Sequence, residues 1–180
     1  MQGIIAGGAG ALHRSVEGAE DESSNGALAI DRRGVKNIDV VIGISASGRT
    51  PFVLGALARA KSLGAKTVLL SCNPARGSRG DGIDLAIDLA VGPEILTGST
   101  RLKAGTATKI ALNIISTGTM VVLGKVRGNL MIDLNTSSAK LRDRATRMVA
   151  ELTESDYNSA RAQLEASNWD LRAVLKKAGK

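Results

Sequence analysis

The sequence predicts an α/β protein: a three-layer αβα sandwich around a parallel sheet, followed by short C-terminal helices. Three observations point there. Residues 40–44, in the run DVVIGI, and residues 66–72 (KTVLLSC) are continuously apolar, as strands buried on both faces are. Segments with helical spacing follow them, the rhythm of strands alternating with covering helices. Apolar residues make up 43% of the chain but aromatics only 2%, so the core must be filled by Ala, Val, Ile and Leu.

Residues 3–6 form a short apolar run ending in Gly7-Gly8, which predicts a buried strand entering a turn. Residues 11–20 fit a helix, with Leu12 and Val16 four apart. Residues 21–25 and 31–34 read as polar breaks. After the strand at 40–44, Pro51 opens a helix, where a proline at the first position is well tolerated. Val53, Leu57 and Ala60 give that helix an apolar face, and Gly64 ends it. The strand at 66–72 stops at Asn73-Pro74. A glycine-rich loop (76–82) and a possible third strand (83–91) follow. A long helix is predicted over 103–123. Its apolar part, 104–123, contains Lys109, Asn113 and several threonines, so it reads as a buried core helix and not a membrane span. No clear element is read over 124–134, and residues 137–152 are helical. Beyond Glu154 come two short helices, with Tyr157, Ala160 and Leu164 on one and Trp169, Ala173 and Lys177 starting the other. They are too small to bury a core alone. The division expected is therefore 1–150 and 151–180.

The formal net charge is +7. The basic residues are scattered, with almost no aromatic surface for stacking bases. The balance therefore suggests a solvated surface plus one anion site, and not a nucleic-acid partner. Cys72 is the single cysteine, which excludes an intrachain disulfide and fits a reducing, cytoplasmic compartment. The start MQGIIAGGAG lacks a basic region and resembles no signal peptide, and no membrane partner is expected. Metal-ligand spacings of the HExxH, CxxC or EF-hand kind are missing, so no metal is expected. His13 suits a surface or capping role, Cys72 a small buried one, and Trp169 the core of the terminal helices.

Three segments carry chemistry. The first is the loop of Ser45, Ala46, Ser47, Gly48, Arg49 and Thr50 between a strand and the helix opened by Pro51. A helix N-terminus exposes unpaired N–H groups and the positive end of the helix dipole, which suits a phosphate. Ser45, Ser47 and Thr50 add hydroxyls, and Gly48 allows close backbone approach. An ordinary N-cap needs one such residue, and here three surround a glycine. The loop matches neither GxGxxG nor a Walker A sequence. The second segment is GPEILTGSTRLKAGT. Here Thr97, Ser99 and Thr100 can donate hydrogen bonds, Lys103 supplies charge, and Glu94 could take sugar hydroxyls or a proton; a plain helix cap is the alternative. The third is VEGAED, with Glu17, Glu20 and Asp21. It reads as a solvated acidic turn or, at a helix C-terminus, as an electrostatically awkward cluster able to act as a base.

Together the blocks VEGAED, IGISASGRTPFVLGAL, CNP, GPEILTGSTRLKAGTA and GKVRGNLMIDL, in this order, resemble the N-acetylmuramic acid 6-phosphate etherases, bacterial enzymes of the sugar isomerase (SIS) fold. The terminal helices are similar to the small ubiquitin-associated-like region that follows that family's main domain. The resemblance implies cleavage of the lactyl ether to N-acetylglucosamine 6-phosphate and D-lactate in cell-wall recycling, without a cofactor. It implies Glu20 as the base at C2 and Ser45, Ala46, Ser47, Gly48 and Thr50 as the phosphate loop. Glu94, Ser99, Thr100 and Lys103 would face the sugar, and the chain would pair as a homodimer. The family's further N-terminal stretch, with a first glycine-rich loop and the general-acid glutamate, has no counterpart here. A fragment with an incomplete SIS fold, inactive alone, is therefore the expectation. The alternatives are a non-catalytic sugar-phosphate regulator such as glucokinase regulatory protein, an aldose–ketose isomerase and, remotely, a nucleic-acid binder.

Overall fold

A computed structural model describes residues 1–73 and 82–179. The chain divides into two compact units, Met1–Ala111 and Leu112–Lys180.

The first unit is built on a parallel sheet of β1 (Val40–Ser45), β2 (Lys66–Ser71) and β3 (Leu85–Asp88), in that spatial order. Val40 to Ser45 pair in register with Lys66 to Ser71, and Val68 pairs with Leu85. The central strand is buried from Thr67 to Ser71, as its continuous apolar run requires. The helices α1 (Ser23–Arg32) and α2 (Pro51–Ser62) belong to this unit, and Ile30, Ala56, Ala60 and Ala65 form its buried cluster with Val35, Val41 and Leu63 packed against it. Helix α2 lies close enough to β1 that a Cβ on Gly43 would approach Val53 and Leu57 to 2.7 Å. A long helix, α3 (Lys103–Val122), runs on past the end of the first unit.

The second unit holds an antiparallel pair, β4 (Val126–Arg127) and β5 (Leu130–Met131), and the helices α4 (Ala139–Thr153), α5 (Tyr157–Ala166) and α6 (Leu171–Lys177). Its core joins Val149 of α4, Leu164 of α5 and Val174 and Leu175 of α6. Three side chains cap these helices: Ser138 accepts from the Leu141 amide, Asp156 from those of Asn158 and Ser159, and Asp170 from that of Ala173. The Arg142 guanidinium sits 4.9 Å from the Trp169 ring centroid. Helix α4 shares this core with α5 and α6.

The α/β class and the parallel sheet are as expected. The strand predicted at 83–91 is shorter, and Pro74 and most of the loop at 76–82 lie outside the described residues. Other expectations are corrected. Residues 3–6 form no strand, and Ile4 and Ile5 are exposed. Residues 11–20 are not an α-helix: 11 and 12 end a short 3-10 helix, Gly8–Leu12, and 13–20 are turns and irregular backbone. The polar break at 21–25 instead begins α1. Strand β1 is a sheet edge, so Val40 and Ile44 are exposed and it is not buried on both faces. Helix α3 forms as predicted, but among its residues only Ala104 is buried, so it is not a core helix here. Among the described residues no helix is long and apolar enough to cross a membrane.

Candidate functional site

The loop follows directly from the two elements it joins. Strand β1 delivers Ser45, 5% exposed, at its carboxyl end, where parallel sheets present ligand sites. Pro51 then starts α2 at its first position. Between them Gly48 turns the chain at φ 68°, a left-handed conformation that a side chain would strain. Its amide donates to the Ser45 carbonyl at 3.0 Å. Beneath the turn, the Ser71 hydroxyl donates to Asp88 at 3.0 Å.

The three hydroxyls converge. Ser45 Oγ lies 2.8 Å from Thr50 Oγ1 and 3.3 Å from Ser47 Oγ, and the Arg49 amide donates to Ser47 Oγ at 3.1 Å. The Thr50 side chain, at the N-cap of α2, makes no capping hydrogen bond. Instead the Phe52 amide, in the first turn, donates to the Glu20 carbonyl at 3.0 Å. This bond ties the acidic turn to the mouth of α2.

A concavity of about 720 Å³ runs along the β1 edge and is lined by Glu20, Ser45, Ala46, Ser47, Thr50 and Thr100. The candidate base, the loop hydroxyls and one residue of the second segment therefore share one space. Met1 to Ala6 and Arg33 line it too, and Arg33 donates to Gln2 at 3.2 Å. No local sequence signal places them there, because their approach depends on the fold.

Glu94, Ser99 and Lys103 do not line this concavity. Glu94 acts as the cap of α3: its carboxylate accepts from the Lys103 amide at 3.0 Å and the Ala104 amide at 2.8 Å. The Ala104 bond, aided by the Lys103 amide and charge, holds its carboxyl below the ordinary glutamate value. The acidic turn is electrostatically opposite to the expectation. It precedes the N-terminus of α1 and does not follow a helix C-terminus, so the dipole favours its charge. Ser15 donates to Glu17 at 2.6 Å. Among the described residues no three His, Cys, Asp or Glu are grouped to hold a metal ion.

Residues 1–61 match the glucokinase regulatory protein N-terminal SIS domain family. The N-acetylmuramic acid 6-phosphate etherase of Gloeobacter violaceus is 54% identical over 97% of this chain and 57% of its own length. Those of Microcystis aeruginosa and Pectobacterium atrosepticum are 51% and 50% identical, over 97% and 96% of the chain and 57% of their lengths. The chain is a relative of the N-acetylmuramic acid 6-phosphate etherases. It spans little more than half the length of these etherases, and its parallel sheet and helices are part of an SIS fold.

Proposed function

We propose that this chain is the sugar-phosphate-gripping part of an etherase acting on N-acetylmuramic acid 6-phosphate, in a homodimeric cytoplasmic protein of cell-wall recycling. The carrying observation is that Glu20 shares one concavity with the Ser45, Ser47 and Thr50 hydroxyls at the mouth of α2. An incoming phosphate dianion replaces the hydroxyl–hydroxyl bonds with bonds to its own oxygens and gains the helix dipole. Glu94, Ser99 and Lys103 belong in this reading to a neighbouring segment that closes on the sugar.

With the phosphate fixed, the open-chain aldehyde acidifies the C2 hydrogen. Glu20 takes that proton to leave an enolate; the C3–O bond then breaks and lactate leaves, itself needing a proton from an acid. Water then adds across the unsaturated aldehyde, hydroxyl to C3 and proton to C2. The base half of this chemistry lies in the chain. The acid half is the part that the resemblance assigns elsewhere, so the isolated chain is expected to release no D-lactate.

The base half can be assayed alone. In deuterated buffer, N-acetylmuramic acid 6-phosphate should acquire deuterium at C2 in the presence of the chain. The substrate should also raise the melting temperature. Glu20→Gln should stop the exchange and keep the thermal shift, whereas Ser47→Ala should lose both. A thermal shift without C2 exchange would favour the second reading, a sugar-phosphate sensor, which the glucokinase regulatory protein match over residues 1–61 supports. No shift at all would reject both.

A further inference from the structure

We propose that Gly26 and Gly55 are positioning residues that hold the acidic turn, and with it Glu20, against the phosphate loop. The inference rests on the reading that Glu20 and the loop act on one ligand. It starts from how closely α1 and α2 cross. A Cβ on Gly26 would overlap the carbonyl oxygen of Phe52 and lie 3.0 Å from the Ala56 nitrogen. A Cβ on Gly55 would overlap the carbonyl oxygen of Ser23 and lie 2.9 Å from the Ser23 Cα. Each helix thus meets the backbone of the other through a glycine, and neither obstacle is a flexible side-chain end that could swing away.

The location gives this contact its meaning. Phe52 is the residue whose amide donates to the Glu20 carbonyl at 3.0 Å. Ser23, met by Gly55, is the first residue of α1, three positions after Glu20. The backbone contact therefore lies beside the bond that joins the acidic turn to the mouth of α2. Any side chain between the helices pushes α1 outward and carries Glu20 away from Ser45, Ser47 and Thr50, while the loop itself stays anchored by β1 and Gly48. Alanine has the better helix propensity, so glycine at both crossing points reflects the close approach itself.

Two measurements on the full chain test this. By amide hydrogen exchange, Gly26→Ala and Gly55→Ala should each speed exchange at Phe52 by about tenfold or more, as overpacking of this kind implies, with Ala60 protection retained. Unchanged Phe52 exchange in a folded variant overturns the proposal. Should neither variant fold, the natural chain decides. Phe52 protection shared with Ile30 of α1 supports the proposal, and free exchange at Phe52 while Ile30 and Ala60 stay protected overturns it. In the second measurement, inorganic phosphate is titrated while the Gly48 amide and Glu20 carboxyl carbon signals are followed. In Gly55→Ala the Gly48 response should persist and the Glu20 response should be lost. A retained Glu20 response refutes the positioning role. If phosphate moves no Gly48 signal in the natural chain, the phosphate reading fails, and the exchange data judge the glycines separately.

Discussion

Replacing Ser45 by alanine tests whether the loop is organised by its own hydroxyls. The side chain is buried at the end of β1, and its oxygen makes one contact of ideal length, 2.8 Å to Thr50 Oγ1. The other two, 3.3 Å to Ser47 Oγ and 3.4 Å from the Thr50 amide, are long and individually weak. Counting one full bond and a fraction for the others gives a cost of about 1–2 kcal/mol. For a chain of this size that corresponds to a melting temperature lower by roughly 2–8 °C. Trp169 lies in the second unit, so its fluorescence is the wrong probe; far-UV circular dichroism, in urea and on heating, is the right one. The same hydroxyl is needed for the ligand. Phosphate at a hundred times its dissociation constant should stabilise the natural chain by about 2.7 kcal/mol and the variant far less. Ser47 is exposed and, among the described residues, its hydroxyl bonds Ser45 and the Arg49 amide, so Ser47→Ala should leave stability within about 0.5 kcal/mol yet lose the phosphate effect. If Ser45→Ala unfolds at the natural midpoint and keeps the full phosphate shift, the hydroxyl cluster organises nothing.

Two further predictions concern each unit alone. Leu164 is completely buried between the helices of the second unit, so Leu164→Ala should cost about 2–5 kcal/mol, read by Trp169 fluorescence, with the phosphate response of the first unit intact. Asp84 is held well below the ordinary aspartate value of 3.8 by the Lys61 ammonium at 2.6 Å, then by the Thr67 amide and hydroxyl. A carboxyl depressed on folding contributes stability above its unfolded value and loses it as pH falls through its folded one. Acid should therefore weaken the first unit progressively below pH 3.8, and Asp84→Asn should flatten that slope; an unchanged slope would remove Asp84 from the account.

Much of the site was legible because it is local. A strand, three hydroxyls, a glycine and a proline follow one another in the sequence, and the loop is made by the neighbours themselves. Glu94 shows the limit. Its spacing from Lys103 permits either a cap or a sugar contact, and the two amides of α3 take both carboxylate oxygens. The segment 21–25 shows another. Its serines and asparagine discourage a helix in isolation, yet α1 begins there, with Gly26 just beyond letting it lie against the backbone of α2.

By itself, then, the sequence determined the elements whose signals lie within one turn or one strand: β1, β2, the loop that leads into Pro51, and the helices from α2 to α6. Only tertiary structure decided which apolar faces are covered. Val40, Ile44 and most of α3 look like core residues in sequence and are exposed, because burial depends on a neighbour that no local pattern encodes. It likewise brought Glu20 to the loop, through a backbone bond to Phe52 spanning 32 positions, since the contact is made by main-chain atoms that every residue carries.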